Sequence, residues 1–297
     1  MTIVHSPCWH AGISIVVLTH NRCDTLCRTL HHLQALPERP RIAVVDNAST
    51  DGTTAMVRDM FPNITCLQSA TNLGAAGRNV GAQWVANVAR TPYVAFCDDD
   101  CWWAAGSLTR ACAMLDTSPD VASLTARILV GPDQREDPAS TQMARSPLPS
   151  TDLPGRAILG FMAGASAFRV DPFLAAGGYD ARFFIGGEEE ALALRLASQG
   201  WLMVYAPELV VHHHPSPMRD TRGRRSLLAR NAVWTAWLYL PTPMAMLATA
   251  RAMPALARHL DFAGWLELAQ GMQWVMRERR VVDDRVVAAL RLTRRQH

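Results

Sequence analysis

The first hundred residues alternate regularly between two hydrophobic periods. Continuous apolar runs typical of buried strands occupy 13–19, 41–47, 64–70 and 93–98, and apolar residues at helical spacing occupy 23–36, 53–61 and 76–89. The order β-α-β-α-β-α-β predicts an α/β fold with a mostly parallel, Rossmann-like sheet flanked by helices. With 297 residues and 49% hydrophobic content, the chain can bury one large core or two modest ones.

Three consecutive aspartates, Asp98, Asp99 and Asp100, follow the fourth predicted strand. Adjacent carboxylates repel each other, and in a partly dry site each costs several kcal/mol unless a partner compensates its charge. A divalent cation is one such partner, and an oxygen-rich cluster suits Mg²⁺ or Mn²⁺ better than Zn²⁺. The alternative is that the three aspartates cap a solvent-exposed loop. Because ligands of such sheets bind beyond the carboxyl ends of the strands, the polar groups at these ends are the candidate site residues.

The cysteines and the amino terminus limit the class of protein. The seven cysteines are an odd number without a CxxC pair, so free thiols are expected rather than a disulfide framework or a zinc cage. The first apolar run, ISIVVL, is too short for a signal peptide. A cytoplasmic protein is therefore expected.

After the fourth strand the pattern becomes less regular. A stretch rich in Pro, Ser and Asp at 131–155 predicts a long surface loop or lid. A strand, a short helix and a glycine turn follow at 161–180, then a helix that begins with Glu188, Glu189 and Glu190 and ends at Gly200. Strands are expected at 201–207 and 208–214. Acidic residues in a first helical turn also favour the helix dipole, so simple capping is an alternative for the three glutamates.

The last segment, 219–297, is basic, with 14 arginines against 6 acidic residues, and contains tryptophans among predicted helices. No charge occurs from 231 to 250, but Pro241 and Pro243 interrupt that stretch, so two helices with a kink are expected rather than a membrane span. Burial against the body, a homodimer contact and peripheral contact with an anionic membrane are open alternatives. Nucleic-acid binding is not expected, because the arginines are dispersed among apolar residues.

Six segments together resemble the family-2 nucleotide-sugar glycosyltransferases of the GT-A fold, in particular the bacterial, rhamnosyltransferase-like branch. The segments, in the order that the family has them, are VVLTHNR (16–22), VVDNASTDGT (44–53), NLGAAGRNVG (72–81), VAFCDDD (94–100), GGYDARFFIGGEEEALALRLASQGW (177–201) and VVHHHPS (210–216). The resemblance covers about 12–231. It implies a GT-A catalytic domain over 1–218, with a nucleotide-sugar half at about 12–130 and an acceptor half at about 156–218, and a helical C-terminal region over 219–297.

The resemblance implies an inverting, metal-dependent glycosyltransferase that uses Mn²⁺ or Mg²⁺ and a nucleoside diphosphate sugar. Asp98 and Asp100 supply the DxD motif, with Asp100 as the metal ligand, Asp98 at the metal or the ribose, and His213 completing the metal shell. Asp99 supports them. The implied donor-binding residues are Thr19, Asn21, Arg22, Asp46, Asn47, Asn72, Gly74, Arg78, Asp98 and Asp99. Arg78 is expected to reach the diphosphate as a forked donor.

The acceptor side carries the implied base. The family writes Glu-Asp where this chain has Glu188-Glu189-Glu190, so Glu189 is expected to take the proton of the acceptor hydroxyl, and Glu188 is the alternative. The acceptor or the diphosphate is expected to contact Gly187, Arg225, Trp102 and Trp103, although core packing explains the tryptophans equally well. The expected acceptor is a saccharide, a lipid-linked molecule or another hydroxyl compound. A nucleotidyltransferase and a catalytically inactive nucleotide-sugar-binding protein are the alternative functions.

Overall fold

The computed structural model describes residues 12–215 and 221–294, so the predicted domain boundary at 218/219 and Cys8 lie outside the described residues. The strands among these residues are β1 (Ile13–Thr19), β2 (Arg41–Asp46), β3 (Thr65–Gln68), β4 (Tyr93–Asp98), β5 (Cys101–Trp103), β6 (Val121–Val130), β7 (Arg135–Glu136), β8 (Arg156–Ile158), β9 (Ser166–Arg169) and β10 (Leu202–His213). The helices are α1 (Cys23–Gln34), α2 (Thr53–Met60), α3 (Gly77–Trp84), α4 (Ser107–Thr117), α5 (Pro138–Ala144), α6 (Val170–Ala175), α7 (Glu188–Ser198), α8 (Thr221–Tyr239), α9 (Thr242–His259), α10 (Phe262–Arg277) and α11 (Asp284–Arg294).

One sheet forms the centre of the molecule, in the order β3-β2-β1-β4-β9-β6-β10-β5. The predicted β-α-β order is confirmed for β1 to β4, which pair in parallel with their buried faces covered by helices. Beyond β4 the sheet is mixed, because β9 runs antiparallel to both β4 and β6, and β5 runs antiparallel to β10. The carboxyl ends of β1, β2 and β4 therefore meet at one edge, where Leu18 pairs with Asp98 and Thr19 with Asp46.

Two segments differ from the sequence-based expectation. The stretch 131–155 is not a structureless loop, since it contains β7 and α5. The Asp137 carboxylate accepts the backbone N–H of Ala139 at 2.8 Å, and Pro138 is the first residue of α5, so both signals of a helix start are present. The two strands expected at 201–214 form the single strand β10, with a register irregularity between Ala206 and Val210. Pro207 lies in this irregularity because proline has no N–H for the ladder.

The C-terminal helices α8 to α11 share a core with α7 and the segment before it. Trp234, Leu268 and Val287 of these helices pack with Phe183 and with Leu194 of α7. The predicted break at Pro241 and Pro243 is confirmed, because α8 ends at Tyr239 and α9 begins at Thr242. In the described part of the chain, no helix has the length and apolar character needed to cross a bilayer. The six cysteines from Cys23 to Cys112 are free thiols.

Candidate active site

The three aspartates after β4 point to three different partners. The Asp98 carboxylate accepts a hydrogen bond from the guanidinium of Arg78 and packs against Gly164. Asp99 accepts the Thr19 hydroxyl at 3.0 Å, and Asp100 is buried with its Oδ1 3.5 Å from His213 Nε2. The strand therefore ends in a divergent set of carboxylates rather than in a solvated cap.

Asp99 lies deep in this set. Burial, and then repulsion from Asp100 and Asp98, raise the pKa of Asp99 to about 7, although the Thr19 hydroxyl and Arg22 act in the opposite direction. Arg22 immediately precedes α1 and lies close enough to Asp99 to stabilise its charged form. The sequence placed Thr19, Arg22 and Asp99 at one pocket, and the structure brings these three residues together.

Asp100, Cys101 and His213 can hold a metal ion. One potential ligand atom from each residue lies within 4.8 Å of the others. Burial raises the pKa of the Cys101 thiol well above its usual value, so the protonated sulfur is a poor ligand. A carboxylate oxygen and an imidazole nitrogen remain as ligand atoms. This pair suits Mn²⁺ or Mg²⁺ better than a metal that prefers thiolate ligands, such as Zn²⁺. Asp98, the other predicted ligand, is turned toward Arg78 instead.

The turn after β2 is braced by its own side chains. Asp46 is fully buried, and its two oxygens accept the backbone N–H of Ser49 at 2.9 Å and the Thr54 hydroxyl. The Asn21 side chain accepts the backbone N–H of Thr50 at 2.8 Å, so it joins the turns after β1 and β2. Both residues hold the shape of this edge, and their direct contact with a nucleotide remains a prediction.

A second turn lies beside it, from Asn72 to Ala76. The Asn72 side chain accepts the backbone N–H of Gly74 at 2.9 Å, and the Asn47 amide donates to the Gly74 carbonyl at 2.9 Å. Gly74 has a φ of 58°, and an added Cβ would lie 2.1 Å from the carbonyl oxygen of Phe184, so only glycine fits there. The turn thus joins the end of β2 to the segment that precedes α7.

Arg78 lies between the aspartates and the glutamates. Its side chain is buried, it binds Asp98, and its Cζ is 5.7 Å from the centroid of the Tyr179 ring. Both Glu188 and Glu189 are close enough to stabilise its positive charge. Arg78, the residue predicted to donate hydrogen bonds to the diphosphate, therefore lies at the centre of the candidate site.

Glu188 and Glu189 open α7 in different surroundings. Glu189 Oε1 accepts the backbone N–H of Ala163 at 2.5 Å, and burial followed by repulsion from Glu188 raises the pKa of Glu189 to about 7. Glu188 is buried, its Oε2 has no hydrogen-bond partner among residues 12–215 and 221–294, and burial raises its pKa as well. A carboxylate with a pKa near neutrality matches the demand on a general base. Which of the two acts as base remains a prediction.

The two tryptophans after the aspartates have different environments. Trp103 is fully buried in the core and donates its indole N–H to the Phe96 carbonyl at 3.3 Å, so the expected acceptor contact of Trp103 is wrong. Alternation along β5 turns Trp102 the other way. Trp102 stacks on His32 at 4.0 Å between ring centroids and lies 4.7 Å from His214. Its role at an acceptor stays a prediction.

The contact of Gly187 and Arg225 with the acceptor or the diphosphate remains a prediction. Gly187 precedes α7 with a φ of 88°, and Arg225 is exposed near the start of α8. Sequence reasoning missed Ala163 and Gly164 as neighbours of the acidic groups. Ala163 and Gly164 contribute a backbone N–H and the space left by a missing Cβ, which no side-chain motif reveals.

Three comparisons with known proteins bear on this site. The family model described as Glycosyl transferase family 2 matches residues 14–174, more than half of the chain. An N-acetylglucosaminyl-diphospho-decaprenol L-rhamnosyltransferase of Mycobacterium tuberculosis is 27% identical over 244 residues, which cover 68% of this chain and 76% of that protein.

Solved structures share the fold. A mannosyltransferase from Pyrobaculum calidifontis in complex with GDP-Man and Mn²⁺ has a TM-score of 0.59 at 19% identity, covering 97% of this chain and 87% of that chain. S. aureus TarS 1-349 in complex with UDP-GlcNAc has a TM-score of 0.57 at 14% identity, covering 90% and 81%. The expected GT-A fold class is thereby confirmed.

Proposed function

Because this chain belongs to glycosyl transferase family 2 and is a glycosyltransferase, we propose that it is an inverting, divalent-metal-dependent enzyme. It moves a sugar from a nucleoside diphosphate sugar to an acceptor hydroxyl. One observation carries this proposal: Arg78 lies within electrostatic reach of Asp98 on one side and of Glu188 and Glu189 on the other. This arrangement supports a metal site, a guanidinium that binds the diphosphate and a general base at one edge of the sheet.

The donor half holds the leaving group. Asp100 and His213 would hold Mn²⁺ or Mg²⁺, and the ion would supply positive charge that neutralises the departing diphosphate. Arg78, which pairs with Asp98, offers its guanidinium fork to a phosphate oxygen. The turns around Asp46, Asn47 and Asn72 shape the pocket for the nucleobase and the ribose of the donor.

The acceptor half holds the nucleophile. Glu189 takes the proton of the acceptor hydroxyl while that oxygen forms its bond to the anomeric carbon and the bond from that carbon to the diphosphate breaks. The attack comes from the face opposite the leaving group, so the anomeric configuration inverts. The hydrogen bond from Ala163 fixes one oxygen of Glu189 and leaves the other for the acceptor.

The relative from M. tuberculosis suggests the substrate class. Its name states that it transfers L-rhamnose to a polyprenyl-linked diphosphate sugar. We therefore place this enzyme in the synthesis of a bacterial cell-surface glycan, with a hexosyl or deoxyhexosyl donor and a lipid-linked acceptor.

A lipid-linked acceptor requires access to a membrane surface, and α9 and α10 fit one. Large apolar side chains are exposed on both helices, among them Met246, Leu247 and Phe262, the last with 83% of its surface accessible. Exposed Arg251 and Arg258 lie on α9, which contains no acidic residue. Since basic groups next to exposed apolar residues match an anionic bilayer, we propose peripheral attachment to the inner face of the membrane. The free thiols fit the reducing cytoplasm.

Vesicle binding tests this attachment. The protein should co-sediment with vesicles of phosphatidylglycerol and phosphatidylcholine at low salt, and the double variant Phe262→Ser, Leu266→Ser should bind less. Met60→Ser serves as the control, since Met60 is an exposed apolar side chain of α2, away from α9 and α10. A protein that ignores the vesicles and instead dimerises through α9 and α10 would support the homodimer alternative.

A thermal-shift screen tests the enzymatic proposal. A bound nucleoside diphosphate sugar with Mn²⁺ or Mg²⁺ should raise the melting temperature by mass action, and the best donor should then be turned over. Glycosyl transfer releases a nucleoside diphosphate, whereas a nucleotidyltransferase would release pyrophosphate. Binding without release of either product would instead identify an inactive sugar-nucleotide-binding protein.

A further inference from the structure

The segment from Arg182 to Gly187, called the 182–187 loop below, delivers the two glutamates to the candidate site. Three of its residues have positive φ: Phe184 at 62°, Gly186 at 83° and Gly187 at 88°. Such a backbone is strained at Phe184 and entropically costly at the glycines, so contacts outside the loop must hold it. One contact is on the donor side, where the Phe184 carbonyl accepts the Ala75 N–H at 2.7 Å.

The other contacts come from α8. The side-chain amide of Asn231 donates to the carbonyls of Phe183 at 2.8 Å and Ile185 at 3.1 Å, and also to the carbonyl of Gly186. Asn231 is fully buried, so these donors have no water to satisfy them instead. An amide has two N–H groups, and three carbonyls converge on them. One side chain of the C-terminal helices thus binds half of the six carbonyls of this loop.

Arg230 fixes which way this amide faces. Its Nε donates to Asn231 Oδ1 at 3.0 Å, which leaves only the NH₂ end of the amide for the loop. The same guanidinium binds Glu267, and its Cζ lies 4.1 Å from the centroid of the Trp234 ring. Its third nitrogen lies 3.4 Å from the Phe183 carbonyl. Arg230 is therefore held on both sides by α8 and α10.

Space at the end of the loop is also set by α8. A Cβ on Gly186 would lie 2.4 Å from Leu228, and one on Gly187 would lie 3.1 Å from the Cβ of Asn231. Gly187 directly precedes Glu188 and Glu189 in α7. A shift of α8 would therefore move the start of α7.

We propose that Asn231 is a positioning residue for the transfer reaction, oriented by Arg230, which fixes the 182–187 loop and so places Glu188 and Glu189 against the acceptor. The inference rests on the proposed function, in which these glutamates face the acceptor hydroxyl. It makes α8 a part of the active-site support rather than only an attachment for other partners. Misplacement of a base by about 1 Å costs on the order of 10²-fold in rate.

Asn231→Leu tests this role, since leucine keeps the branching at Cγ but makes none of the amide's hydrogen bonds. We expect kcat to fall about 10- to 100-fold, while the Kd of a nucleoside diphosphate with Mn²⁺, measured by calorimetry, stays within twofold. Thr249→Val is the matched control, because it removes the hydrogen bond from Trp237 between α8 and α9 without touching the loop. It should leave kcat unchanged.

Asn231→Asp keeps the shape of the side chain and covers the case in which the leucine variant does not fold. An ionised carboxylate would repel the loop carbonyls, whereas a protonated one can donate to one of them. Its kcat relative to that of the natural protein at the same pH should therefore rise as the pH falls from 8.5 to 5.5. A ratio near one at every pH, or a leucine variant with full kcat, would overturn the proposal.

Hydrogen exchange separates this inference from the transfer reaction itself. Backbone amides of 184–190 should exchange faster in Asn231→Leu than in the natural protein, and amides of β1 and β4 should not. This result is expected even if no sugar donor is turned over, in which case the proposed function fails and the loop contact stands. Unchanged exchange in 184–190 would contradict the positioning role directly.

Discussion

The donor half, from β1 to β6, and the C-terminal helices, α8 to α11, serve the same site by different means. In the donor half the functional groups follow the ends of parallel strands, so the geometry of the sheet gathers them. In the C-terminal helices, Arg230 and Asn231 lie outside the six segments that carry the family resemblance, yet they hold the carbonyls of the loop before α7. A charged ligand is bound by polar side chains at the strand ends. A loop that must only be held in place needs buried hydrogen-bond donors from a neighbouring element to satisfy its carbonyls.

Another contact joins the C-terminal helices to the start of the 182–187 loop. Arg182 pairs with Asp180 and with Glu278 after α10, and its Cζ lies 3.9 Å from the centroid of the Trp274 ring. The Asp180 and Glu278 carboxylates raise the pKa of Arg182, so it stays charged. The C-terminal helices therefore grip both ends of the segment that leads to the glutamates. Charge in the donor half and support in the C-terminal helices should respond differently to substitution.

The largest effect is expected at Asp100. Asp100→Asn should abolish metal-dependent binding and turnover of the nucleotide sugar, a loss beyond the roughly 10- to 100-fold that altered supporting groups cost at metal sites. Turnover measured with Mn²⁺ and with chelator checks this. Asp133→Asn, on an exposed turn, is the control and should be fully active. Full activity of Asp100→Asn without metal would contradict the proposal that the donor half binds the metal and the charged diphosphate.

Glu189→Gln should have the next largest effect. Loss of the base should lower kcat by roughly 10² to 10⁴ and leave donor binding nearly intact. Glu188→Gln is the matched variant, because it neutralises the adjacent carboxylate in the same helical turn. If Glu188→Gln gives the larger loss while Glu189→Gln keeps most of its kcat, the assignment of the base is reversed.

The sequence predicted those features of the site that depend on local patterns and missed those that depend on contacts between distant residues. The strands and the position of the aspartates at a strand end were predictable because strand ends and apolar periods are local properties of the chain, whereas the roles expected of Arg78 and the glutamates came from the family resemblance. Trp103 was not, since the face of a three-residue edge strand depends on its pairing with β10. The loop contact of Asn231 was equally hidden, because its carbonyl partners lie about 45 residues away and carry no side-chain signal. Asp137 and Pro138 did signal α5, but the surrounding Pro and Ser residues obscured it.

The pH dependence of turnover should show the raised pKa of Glu189. Its ionised form is the base, so kcat should rise about tenfold per pH unit below pH 7 and level off above it. Glu188→Gln removes a neighbouring negative charge that raises this pKa, so the profile of that variant should shift to lower pH. Asp99 also titrates near 7, but its neighbours do not include Glu188. A profile that Glu188→Gln does not move would assign the titration to another group.

The same shift affects stability with the opposite sign. Between its unfolded pKa, near 4.5, and its folded pKa, about 7, Glu189 binds more protons in the folded state. The free energy of unfolding should therefore fall as the pH rises through this window, and Glu189→Gln should remove part of that fall. Denaturant unfolding of both proteins at pH 5 and pH 8 measures it. A variant that loses stability in parallel with the natural protein would contradict the raised pKa.

The smallest effects should come from a matched pair of helical glycines, one in each region. A Cβ on Gly81 of α3 would lie 2.2 Å from Val16, and one on Gly271 of α10 would lie 2.1 Å from Trp234. Each Gly→Ala substitution overpacks its core and should cost about 1–3 kcal/mol in the free energy of unfolding. Gly81→Ala should also weaken donor binding, because α3 carries Arg78, whereas Gly271→Ala should lower kcat with donor binding unchanged. If Gly271→Ala weakened donor binding as much as Gly81→Ala, the C-terminal helices would act on the donor pocket as well. Donor binding and the positioning of α7 would then not be separate functions of the two regions.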